Sequence, residues 1–199
     1  LGITAGTTGD VTFSGLVGNT APLGAITITS ANDVTTNGVR AASFVQTDGS
    51  GTTTLNLGDF AAGTDGAMQT TAALGVNIVN ETIAVNAGIT TTGGGIVTLN
   101  ADLTTLTIAA AGDIASDGAV NLTGNTGIFT AGDVTTTSDV ANFNSATTLT
   151  GNVLINTTVT GTGGSVRFFS TLDDDGVLAA KTLGITAGTT GDVTFSGLV

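Results

Sequence analysis

The chain opens with LGITAGTTGDVTFSGLV (1–17) and closes with LGITAGTTGDVTFSGLV (183–199). Chance does not restore seventeen residues in order at an offset of 182. A sandwich or barrel has no use for restarting its own first strands. The recurrence reads as one full period of a longer array, residues 1–182, followed by the start of the next identical module, residues 183–199. A coil of stacked rungs tolerates such a restart, because each rung packs only on its neighbours. The two copies are then expected to share one conformation and to be related by a displacement along the axis with modest rotation.

A shorter period lies inside the long one, and internal repeats of a few tens of residues are the signature of solenoids. GDVTFSGLV (9–17), NDVTTNGVR (32–40), GDIASDGAV (112–120) and GDVTTTSDV (132–140) each set an Asp before an apolar β-branched residue. GNVLINTTV (151–159) is a fifth version, with Asn152 in the Asp place. Asp113 to Asp133 is 20 residues, Asp133 to Asn152 is 19, and Asp10 to Asp33 is 23. The unit is therefore roughly 20 residues with room for insertions, and about nine would fit one module.

Within each unit the strands are short and alternate. Ile26 and Ile28 share a face opposite Thr27 and Thr29; Val97 and Leu99 flank Thr98; Leu106 and Ile108 flank Thr107. Leu55 and Leu57, Val153 and Ile155, and Val166 and Phe168 repeat the pattern. This is the period of a strand with one buried face. Gly, Asn and Asp clusters such as TDGSG, TTTGGG, GTGGS and DDDG punctuate the strands and suit tight corners. The segment 61–73 is the weakest strand candidate and is expected to loop out of the coil. Thr, Val and Ile favour strands, helix formers are scarce, and Glu81 is the sole glutamate. The fold expected is all-β: a parallel β-helix, or β-solenoid, of roughly 20-residue rungs.

These units, LGITAGTTGDVTFSGLV and LGAITITSANDVTTNGV above all, resemble the filamentous haemagglutinin-type repeats of large bacterial surface proteins. They are similar to giant Thr/Gly/Val-rich arrays of that kind. The resemblance implies a right-handed coil, secretion to the cell surface or the extracellular space, and a role as a stalk or adhesin.

Composition narrows the chemistry. The net charge is −12, and Arg40, Arg167 and Lys181 are the only cations. Nucleic-acid binding needs clustered Lys and Arg to displace counterions, so no nucleic-acid partner is expected. No apolar run is long enough for a membrane-spanning helix. With no Cys there is neither a disulfide framework nor a thiolate metal site. With no His and no Tyr, general acid–base chemistry lacks its usual groups, and no enzyme activity is expected.

Asp10, Asp33, Asp113, Asp133, Asn152 and Asp192 are read as structural corner positions, each forming an Asx-turn with its own backbone. Asp173, Asp174 and Asp175 form the densest charge, and carboxylates of this kind can bind calcium, but the spacing matches no EF-hand loop. N-x-T sequons stand at Asn80, Asn121 and Asn156. The function expected is a structural module of a long extracellular fibre. Its partners are further copies of the repeat, covalent or head to tail, and laterally associated fibres. The alternatives are a carbohydrate-binding or carbohydrate-cleaving β-helix, which calls for a groove lined with exposed aromatics, and an ice-binding module, which calls for a regular array of outward Thr.

Overall fold

The computed structural model describes residues 1–60, 65–159, 161–177 and 179–199. The strands among them form three sheets, all parallel. Sheet A has nine strands, from Gly2–Thr4 to Val193–Phe195; sheet B has eight, from Val11–Phe13 to Leu172–Asp174; sheet C has seven, from Val39–Ala41 to Leu183–Thr186. The chain visits A, B and C in turn, so each strand pairs with the one a full turn ahead and not with its sequence neighbour. Val17 fills the C position of the first turn by bridging to Val39. The Leu198 carbonyl fills the B position of the last, accepting the Leu172 N–H at 3.0 Å. The result is a β-solenoid of about eight turns with about 23 residues to a turn, slightly longer than the rung expected from the Asp spacing.

Alternation decides what goes inside. Ile26 and Ile28 are fully buried while Thr27 and Thr29 are exposed. Register then stacks like on like. One interior column of sheet A runs Ile78, Leu99, Leu122, Phe143 and Phe168. At its end the Phe143 and Phe168 rings lie 4.5 Å apart and 15° from parallel, and Phe168 and Phe195 lie 5.3 Å apart and 9° from parallel. Some outward positions form polar ladders. Asn142 Nδ2 donates to Asn121 Oδ1 at 2.9 Å, and at a corner the amides of Asn86, Asn56 and Asn37 donate in series down the stack.

The rungs vary in length at their corners and not in their strands. On one ladder, Thr27 to Val45 is 18 residues and Val45 to Asn77 is 32. The long turn carries an excursion after Asn56, closed by mutual backbone hydrogen bonds of Gly58 and Gly66 at 3.0 and 3.2 Å. This revises two expectations. Leu57 is not a core residue: the chain has turned out of sheet B there, and its side chain is 60% exposed. The segment 61–73 does not leave the coil as a whole. Residues 61–64 lie outside the described residues, but Met68–Thr70 is a regular strand of sheet C, with Met68 buried between Val39 and Ile89. The Gly and Ala around Met68 hid a strand whose buried face is set by its neighbours above and below.

The two copies of the seventeen-residue segment share local conformation but not position. Gly2–Thr4 and Leu183–Thr186 are strands, Gly6 and Gly188 take φ of 78° and 73°, and Val11–Phe13 and Val193–Phe195 are strands. Yet the first strand of the segment lies in sheet A at the start of the chain and in sheet C at its end, and the second lies in sheet B and then in sheet A. In place of the modest rotation expected, the copies are turned by one whole face. The reason is arithmetical. The offset of 182 residues advances the coil by 23 strand positions, which is seven turns and two faces.

Candidate functional site

The recurring Asp residues sit at corners, immediately before the strands they introduce. Asp10 and Asp33 lie on the corner between sheets A and B in successive rungs, before Val11–Phe13 and Val34–Asn37. Asp113, Asp133 and Asn152 lie on the corner between B and C in three successive rungs. Asp192 stands on the corner between C and A, before Val193–Phe195.

Their hydrogen bonds differ from the Asx-turn expected. Side chains reach to the following rung. Asp113 Oδ1 accepts the Asp133 N–H at 2.8 Å, Asp133 Oδ1 accepts the Leu154 N–H at 2.7 Å, and Asn152 Oδ1 accepts the Thr182 N–H at 3.0 Å. On the other corner Asp10 Oδ1 accepts the Asp33 N–H at 3.2 Å and the Asn32 amide at 3.1 Å, and Asp33 Oδ1 accepts the Thr52 N–H at 2.7 Å. The strand ladder is interrupted where the chain turns. The side chain from the rung below supplies the acceptor that a neighbouring strand supplies elsewhere. These residues act as vertical cross-links, which sequence spacing alone does not reveal. Local turns of the expected kind do occur at other residues, as where Asp48 Oδ1 accepts the Gly49 N–H at 2.9 Å.

The acidic run is held by the chain itself. Asp174 accepts the backbone N–H groups of Gly176 and Lys181 at 2.7 and 2.6 Å, and Asp175 accepts that of Val177 at 2.9 Å. Lys181 Nζ lies 2.5 Å from Asp175 and 3.7 Å from Asp174. The two backbone N–H donors, with Lys181 nearby, hold the Asp174 carboxyl below its ordinary range, and the bond to Asp175 raises Lys181. Among the described residues no three His, Cys, Asp or Glu side chains are grouped to hold a metal ion.

Asn80, the first sequon, is wholly buried and belongs to the interior. Its Oδ1 accepts the N–H groups of Gly51 and Glu81 at 3.1 and 2.9 Å, its Nδ2 donates to Thr53 Oγ1 at 2.9 Å, and Thr53 donates to Gln46 Oε1 at 2.7 Å. Arg40 lies over the Phe60 ring at 5.6 Å.

Among the shallow grooves over sheet C are two lined by residues between 65 and 159. One of about 240 Å³ is lined by Thr90, Ala115, Thr135 and their neighbours, the other of about 390 Å³ by Asp65, Gln69, Thr70 and their neighbours. Neither lining includes an aromatic residue, the feature the carbohydrate reading calls for. The column that starts at the outward Thr27 continues through Val45, Asn77, Thr98, Asn121, Asn142 and Arg167, so Thr is not regular in that column. Comparison of the chain with protein-family models, with curated proteins and with solved structures found no match.

Proposed function

We propose that the protein is a structural module of a long extracellular or cell-surface fibre, in which copies of the 182-residue repeat follow one another along one coil. The observation that carries this reading is the segment at both ends. The same seventeen residues serve as rungs at residues 1–17 and 183–199 of one coil.

The function so read is mechanical. Parallel ladders join each rung to the next through backbone hydrogen bonds, Asp and Asn side chains bridge the corners, and stacked apolar columns exclude water from the interior. The acidic surface keeps neighbouring fibres apart, or lets divalent cations draw them together. Secretion and the cell surface follow from the resemblance to haemagglutinin-type repeats. No catalytic step is assigned: the chain lacks His and Tyr, and Lys181 is engaged by Asp174 and Asp175.

Electron microscopy of chains carrying one, two and three copies tests the reading. Each added copy should lengthen a straight rod by about 37 Å, from 23 strand positions over three faces at roughly 4.8 Å per turn. Compact particles, or beads joined by flexible links, would overturn it. Surface labelling of the producing cells with an antibody to the repeat tests the location.

A further inference from the structure

We infer that the seventeen-residue segment is a junction rung. One edge fits a rung of sequence 153–172 from the preceding copy, and the other a rung of sequence 26–41 from its own, so that each copy is turned by one face against the last. This rests on the fibre reading above and adds the partner and the geometry of its joint.

The two copies display the two edges of one segment separately. At the start of the chain the far edge is covered: Gly2–Thr4 pairs with Ile26–Ser30, Val11–Phe13 with Val34–Asn37, and Val17 with Val39. At the end of the chain the near edge is covered: Leu183–Thr186 pairs with Val153–Asn156, Val193–Phe195 with Val166–Phe168, and Leu198 with Leu172. Each copy leaves open the edge that the other has filled. The open edge at the end is apolar and half exposed, with Val193 at 44% and Phe195 at 40%. A bare row of strand N–H and C=O groups recruits another strand unless it is blocked.

Glycines in the first copy supply an independent argument. A Cβ at Gly6 or Gly15 would meet nothing within 4 Å. At the counterparts Gly188 and Gly197 it would lie 2.0 Å from the Thr162 carbonyl oxygen and 2.4 Å from the Ser170 carbonyl carbon. Both collisions are with backbone of the rung beneath. At Gly6 and Gly188 the positive φ asks for glycine by itself, so Gly15 is the telling position: its counterpart Gly197 is crowded only because a rung like 157–171 lies under the segment. Asp192 completes the match: its counterpart Asp10 accepts from Asn32 and Asp33 of the covering rung.

The joint fixes the rotation. If a rung of sequence 26–41 covers residues 183–199 as it covers 1–17, the strand corresponding to Val34–Asn37 falls on Val193–Phe195 in sheet A, one face away from its place in the first copy. The partner of Thr194 is then the counterpart of Thr35, because Thr12 pairs with Thr35. In a joint without rotation the partner of Thr194 would be the counterpart of Thr27, because Thr27 and Thr194 stand on one ladder of sheet A.

The chain has no native Cys, so disulfide trapping reads the joint directly. In a protein in which a second copy of residues 18–199 follows Val199, Thr194→Cys is combined with Cys at the counterpart of Thr35, or at the counterpart of Thr27. Parallel neighbours lie within disulfide range. The single chain bearing Thr12→Cys and Thr35→Cys is the control for closure. The expected result is near-complete closure of the Thr35 pair and none of the Thr27 pair. Closure of the Thr27 pair alone would overturn the rotation and leave the fibre standing. Closure of neither, with the control closed, would overturn both.

Discussion

At the residue scale the corner side chains join one rung to the next. Asp133→Ala removes the acceptor of the Leu154 N–H while leaving the strands intact. By analogy with a lost helix cap it should cost about 0.5–2 kcal/mol in urea unfolding. Asp133→Asn should cost much less, because Asn152 already makes the equivalent bond in the following rung. Ser138 offers the opposite test. It holds φ at 118°, where a side chain is strained, and its buried hydroxyl has no partner among the described residues. Ser138→Gly should stabilise the protein by roughly 1 kcal/mol, read as a rise in unfolding midpoint. The Asp174–Lys181 loop carries a pH dependence whose window follows from the two shifts. Asp174 titrates below its ordinary 3.8 and Lys181 above its ordinary 10.5. Their contribution is complete between those two ordinary values. It is lost as pH falls through the lowered Asp174 value and as it rises through the raised Lys181 value. The protection of the Gly176 and Lys181 amides against exchange, relative to an unfolded peptide at the same pH, should be greatest inside that window.

At the scale of the element, what counts is a column and not a strand. Phe168 lies between Phe143 and Phe195 and is 1% exposed, whereas Phe195 is capped on one side only. Phe168→Ala should cost about 3–5 kcal/mol and Phe195→Ala clearly less, measured on the same denaturation curve. Alternation in the sequence made these strands legible, because Val166 and Phe168 stand two apart with Arg167 between them. The same pattern misled at Leu57, where the chain turns before the next inward position arrives. Met68–Thr70 was illegible for the converse reason: its two inward positions are Met68 and Thr70, so no apolar pair stands two apart, and only Val39 and Ile89 on either side reveal the buried face. The corner residues were legible as corners from their place before apolar strands. Their cross-rung bonds were not, since a partner one turn away leaves no trace in local spacing.

At the scale of the whole molecule the sequence repeat and the structural repeat do not divide evenly. Twenty-three strand positions separate the two copies of the opening segment, and three positions make a turn. If copies follow one another along one coil as proposed, then because 23 is not a multiple of three, a side chain that points one way in one copy would point to the next side in the copy after it. Three copies would bring it back to its first direction after 23 complete turns. Exposed Phe169, or the acidic loop with Asp174, would thus wind around a long array in a slow spiral. Such a rod would have no front and no back. Whatever touched it, a wall, a surface or another rod, would meet the same mixture of residues from every bearing.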